Sequence, residues 1–80
     1  MIDLNRLRWR CRRGTLELDL MLTRYLVKRY QLADDNERQT FLRLLELEDS
    51  ELMSYLMGEQ VPMAIELAGL VAEIRSLPSD

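Results

Sequence analysis

The chain has 80 residues, 48% hydrophobic and 31% charged, with a formal net charge of −3. That mixture fits one small globular domain, residues 1–80, and excludes a disordered or collagen-like chain; three glycines and two prolines leave little for a turn-rich β-sandwich. Charged residues interrupt every leucine-rich stretch, so no run approaches the ~18 apolar residues of a membrane span, and Met1-Ile2-Asp3-Leu4 lacks the basic-then-apolar order of a secretory signal.

The pattern predicts an all-α fold, a bundle of five short helices. The first runs from about Leu4 to Arg12, with Leu4, Leu7 and Cys11 at i, i+3, i+7 as its buried stripe. Gly14 supplies a left-handed residue to end it. Thr15 caps the second helix and Glu17 sits in its first turn, where a carboxylate suits the positive dipole end. Leu18, Met21, Leu22, Tyr25 and Leu26 form its apolar face. Asp34-Asp35-Asn36-Glu37 reads as a capping box, opening a third helix with Phe41, Leu42, Leu44 and Leu45 inside. Asp49 caps a fourth, carrying Leu52, Met53, Tyr55 and Leu56 and stopped by Gly58. Pro62 fits the first turn of a fifth. Met63, Leu67, Leu70, Ile74 and Leu77 give that helix the clearest amphipathic spacing in the chain, and Pro78 ends it.

Charge is uneven. Residues 1–13 carry five arginines and one acid, a net +4; the remaining 67 residues carry six basic and 13 acidic side chains, a net −7. A basic segment on an acidic body points to an anionic partner, or to self-neutralisation of segment against body. There is no histidine, the commonest general base and metal ligand. One cysteine allows neither an internal disulfide nor an ordinary zinc site, and fits a reducing, cytoplasmic compartment. Gly14, Gly58 and Gly69 are too scattered for a phosphate loop. We therefore expect no catalytic residues, no metal and no enzymatic activity.

Four features stand out as candidate sites. At Arg12-Arg13-Gly14-Thr15-Leu16-Glu17, two arginines end one helix and a glutamate begins the next, a corner suited to protein recognition. The plainer reading is a glycine cap with a local Arg13–Glu17 ion pair. Trp9 shares a helical face with Arg6, Arg10 and Arg13, a composition found at binding hot spots; alternatively it is half-buried against the body. Cys11 is either a thiol activated by nearby arginines or a small buried apolar residue. Glu46, Glu48, Asp49 and Glu51 read as a solvated face with a helix cap.

Trp9-Arg10-Cys11-Arg12-Arg13-Gly14-Thr15-Leu16-Glu17-Leu18-Asp19 resembles the signature of the succinate dehydrogenase assembly factors that promote covalent attachment of FAD, the SdhE/YgfY type. Their hallmark R-G-x-x-E is matched by Arg13, Gly14 and Glu17. The likeness continues through Asp34-Asp35-Asn36-Glu37, Phe41, Leu44-Leu45-Glu46 and Asp49…Leu52…Tyr55-Leu56. One departure is Tyr55, where relatives often carry Trp. The resemblance implies a five-helix fold that binds the flavoprotein subunit of succinate dehydrogenase, and in some bacteria of fumarate reductase, and assists bonding of FAD to a histidine of that subunit. It implies no stably bound cofactor, FAD being handled in the partner. It makes Arg13 and Glu17 polar anchors of the partner-binding surface, with Gly14 allowing close approach and Trp9, Arg10, Arg12 and Asp19 extending the surface. On this reading Gly14→Arg abolishes docking by bulk and by strain at positive φ.

Two other functions compete. Some relatives have been described as soluble, antitoxin-like regulators of a membrane toxin that affects cell division, and the same surfaces serve that role. A nucleic-acid binder would use the N-terminal arginines, but the acidic body and the lack of a recognition helix argue against it. We expect no nucleic-acid partner, no membrane insertion and a monomer when free.

Overall fold

Apolar residues recurring every three or four positions wind into helices whose inner faces share one core. The computed structural model describes residues 4–78, apart from the side chain of Leu4. The helices are α1 (Leu4–Arg10), α2 (Leu16–Lys28), α3 (Asp35–Leu45), α4 (Asp49–Leu56) and α5 (Ile65–Ser76), with a single 3-10 turn at Tyr30–Leu32. The all-α, five-helix expectation is met. Helix α2 packs against α4, α5 and the 3-10 turn, and α5 closes over α3 and α4. The molecule measures 32 × 26 × 25 Å. No helix is long and apolar enough to cross a membrane among the described residues.

Leu7, Cys11, Leu18, Leu22, Tyr25, Phe41, Leu44, Leu52, Leu56 and Ile74 are fully buried. Phe41 is the hub. Its ring lies 4.6 Å from that of Tyr25 and 5.7 Å from that of Tyr30, both tilted and at separations usual for aromatic pairs. The Tyr25 hydroxyl donates to Glu37 Oε2 at 2.6 Å, tying α2 to the start of α3. Burial, then this bond to a carboxylate, pushes the Tyr25 phenol far above its ordinary range.

Helix ends differ from expectation wherever a tertiary partner intervenes. Helix α1 stops at Arg10 rather than Arg12, tightening through Cys11 N–H to the Leu7 and Arg8 carbonyls and Arg12 N–H to the Trp9 carbonyl. Leu4, expected on the α1 stripe, has its side chain outside the described residues. Among the described residues only Gly58 has positive φ, at 81°; Gly14 does not end α1 as a left-handed cap. Thr15 occupies the α2 cap position without a side-chain bond. Asp34 accepts from Glu37 N–H at 2.8 Å, so half of the capping box forms, while the Glu37 carboxylate is drawn away to Tyr25. Glu48, not Asp49, is the α4 cap residue, because the Asp49 side chain is engaged elsewhere. Pro62 and Met63 precede α5. The link before it is irregular, with Pro62 buried beside the hollow lined by Tyr55 and Val71, and Met63 left in solvent. Leu67, Leu70, Ile74 and Leu77 do face inward, joined by Val71.

Removing the hub ring should cost about 3–5 kcal/mol, against a total of roughly 4–12 kcal/mol for a chain of this size. Phe41→Ala should therefore remove a quarter or more of the stability and lower the urea midpoint in proportion. Gly58→Ala should cost about 1–2 kcal/mol for its left-handed backbone; the Arg75 guanidinium, 2.6 Å from a Cβ there, is the end of a flexible side chain and moves aside. Urea titration followed by circular dichroism checks both.

Candidate partner-binding site

The α1–α2 corner is held from inside by one arginine. The Arg13 guanidinium donates through Nη2 to the Leu45 carbonyl and through Nη1 to the Leu47 carbonyl at 3.4 Å, at and just beyond the C-terminus of α3. Those carbonyls have no helical N–H to receive, and they form the negative end of the helix dipole, so a cation suits them. The same Nη1 lies 3.4 Å from Asp49 Oδ1 at the first residue of α4, where a carboxylate suits the positive end. Asp49 Oδ2 accepts from Gly14 N–H at 3.0 Å. On the other side, Asp19 Oδ1 accepts from Arg13 N–H. Three chain segments are clasped together, and the Arg13 side chain is only 16% exposed.

This geometry reassigns the glycine. A Cβ on Gly14 would sit 3.3 Å from Asp49 Oδ2. Glycine is suited here by close approach to the clasp, not by a left-handed backbone. Gly14→Arg is therefore expected to act by pressing on Asp49 and crowding the corner, without the positive-φ strain. Arg13 pairs with Asp49 rather than with Glu17, so the local ion pair does not form. Of the acidic run, Glu46, Glu48 and Glu51 stay exposed while Asp49 is recruited.

Outside the clasp lies an open surface. Trp9 is 69% exposed, which overturns the half-buried alternative. Its cation neighbour is Arg12, whose guanidinium carbon stands 5.2 Å from the ring centroid; Arg13, expected on the Trp9 face, turns inward instead. Trp9, Arg8, Arg12, Asn5 and Thr23 line a groove of about 370 Å³ between α1 and α2. Arg6, Arg10 and Glu17 are exposed. Helix α2 also presents Leu16, Leu20 and Val27 to solvent, at 70%, 48% and 59%. At 100° per residue these three share a face with Thr23, opposite the buried Leu18, Leu22 and Tyr25. Glu17 neighbours Leu20 at i, i+3. The apolar stripe was missed from sequence, although eight apolar residues in a 13-residue helix exceed what one buried face holds.

Cys11 faces the core. Burial pushes its thiol up to about 11 from 9.0, outweighing the attraction of Arg13 and Arg10. The buried, unreactive alternative holds. No cluster of metal-ligating side chains occurs among the described residues.

The family model described as "Flavinator of succinate dehydrogenase" matches residues 5–78. The chain belongs to that family. The FAD assembly factor SdhE of Xylella fastidiosa strain 9a5c is 47% identical over 77 residues, spanning 96% of this chain and 79% of the relative. That of Methylococcus capsulatus is also 47% identical, across 96% of this chain and 93% of the relative. The Shewanella oneidensis SdhE is 41% identical over 75 residues, across 94% and 92%. Within this family motif, R-G-x-x-E divides physically. Arg13 and Gly14 build the corner from within, and Glu17 stands outside on the surface it supports.

Two outcomes are expected. In a double-mutant cycle, Arg13→Ala and Asp49→Ala should couple by about 0.5–1 kcal/mol, measured by urea unfolding, because the pair is partly exposed and each member keeps other bonds. As pH rises past 9, the unfolded chain ionises at Cys11 while the folded chain keeps the proton until about 11. Stability should be fully retained below pH 9 and fall between pH 9 and 11. Cys11→Ala should lose that part of the slope, measured as the urea midpoint against pH.

Proposed function

We propose that this chain binds the flavoprotein subunit of succinate dehydrogenase and promotes covalent attachment of FAD to it. Membership of the flavinator family, across residues 5–78, is the observation that carries the reading. The FAD is handled in the partner, and this chain holds none stably. The acceptor histidine also belongs to the partner, in keeping with a chain that has no histidine. The proposal extends to the fumarate reductase flavoprotein, to a free chain that is monomeric, and to an encounter in the cytoplasm.

The mechanism needs no catalytic group. If flavin bonding is autocatalytic within the partner, a factor accelerates it by binding the aligned conformation of FAD and histidine more tightly than the others. Such a factor needs a surface that keeps its shape. The Arg13–Asp49–Asp19 clasp supplies rigidity to the corner, so little ordering is required on docking. Trp9, Leu16 and Leu20 are the apolar anchors of the proposed contact, and Glu17, Arg10 and Arg12 its polar rim. Arg13, Gly14 and Asp19 serve that contact by holding the corner. Aromatic and arginine side chains dominate contacts of this kind.

In cells lacking this chain, in-gel flavin fluorescence of the flavoprotein subunit should drop. Wild type should restore it. Glu17→Ala and Trp9→Ala should each leave helical circular dichroism unchanged and weaken binding by about tenfold or more, the loss of about 1.4 kcal/mol. Unchanged fluorescence on deletion refutes the function. Restoration by both variants at the wild-type rate refutes the contact surface.

A further inference from the structure

Three arginines of the body find hydrogen-bond or ion-pair partners within the chain. Arg29 meets Glu73 at 2.8 Å, Arg38 donates to the Tyr30 and Gln31 carbonyls at 3.0 and 2.8 Å, and Arg43 lies 3.6 Å from Glu66. Arg8 and Arg12 do not. Among the described residues neither has a carboxylate within ion-pair range, in a chain with 14 acids. They stand four residues apart and line the same groove, where like charges at i, i+4 repel. Trp9 lies beside the Arg12 guanidinium, whose central carbon is 5.2 Å from the ring centroid, within cation–π range. The groove thus holds two exposed cations, one of them against an indole, with Thr23 on the facing helix.

We infer that the Arg8–Arg12 groove receives a carboxylate side chain from an acidic surface segment of the partner flavoprotein, and that these arginines steer the encounter. The inference rests on the function proposed above and adds the chemistry of the partner surface. Charge complementarity selects an anion, and bidentate geometry suits a carboxylate. Continuity selects a protein: Trp9 and Thr23 join the groove to the exposed Leu16–Leu20–Val27 stripe, which a protein surface buries and a nucleic-acid backbone does not. The acidic remainder of the chain, net −7 over 67 residues, also repels an extended polyanion.

The test is the association rate of the purified chain with the purified flavoprotein subunit, followed from about 25 to about 250 mM NaCl, across which exposed charges become screened. The wild-type rate constant should fall by about tenfold or more, as steered encounters do. The Arg8→Gln/Arg12→Gln variant should associate about tenfold more slowly at low salt, with a nearly flat salt dependence and unchanged helical circular dichroism. Arg8→Lys/Arg12→Lys should keep the salt dependence and dissociate faster, because it keeps the charge and loses the fork.

Wild-type binding with no salt dependence, matched by the glutamine variant, overturns the inference while leaving the docking function standing. No wild-type binding to the flavoprotein at any salt overturns both. Salt-dependent capture of a DNA duplex, or of a second copy of this chain in sedimentation, that is lost in the glutamine variant while flavoprotein binding is not, also overturns it.

Discussion

One guanidinium organises this molecule. Arg13 reaches the two carbonyls at the end of α3 and the carboxylate at the start of α4, while its own backbone N–H meets Asp19 on α2. A helix C-terminus offers unpaired carbonyls and a helix N-terminus tolerates a carboxylate. An arginine placed between them satisfies both at once, and no other side chain has the planar fork to do so. Lysine would bring the charge without the geometry. The clasp brings the backbone of residue 14 close to Asp49, whose Oδ2 would lie 3.3 Å from a Cβ there.

The clasp also divides α2 into two faces with different work. The inner face, Leu18, Leu22 and Tyr25, joins the core around Phe41. The outer face, Leu16, Leu20 and Val27, stays in water beside Trp9. A chain of 80 residues has few apolar side chains to spare from its core. Leaving several large ones exposed on one helix is the composition of a surface awaiting a partner. The corner beneath it is braced by the clasp, so under the function proposed above this surface would need little ordering to bind.

The family signature therefore mixes two kinds of residue. Arg13 and Gly14 work inward, on the backbone of α3 and the carboxylate of α4. Glu17 and Trp9 work outward. Under the proposed function, substitutions in the first group act on the shape of the corner, and substitutions in the second on what touches it. Loss of activity alone does not separate them; stability measured beside binding does.

Sequence by itself determined the helix count and most of the core, because burial of one face imposes a three-to-four residue spacing that survives any detail of packing. Leu22, Phe41, Leu44, Leu52 and Ile74 were legible for that reason. It also singled out the Arg13–Gly14–Glu17 corner through the order of its motif. Tertiary structure decided the ends and the partners. Asp49 looked like a cap and became part of the clasp; Glu37 looked like half of a capping box and went to Tyr25; Pro62 looked helical and stayed in the link before α5. Each is a polar or constrained group with more than one satisfying arrangement nearby. Local spacing cannot choose between them, because for Asp49 and Glu37 the deciding atom lies 12 or more residues away.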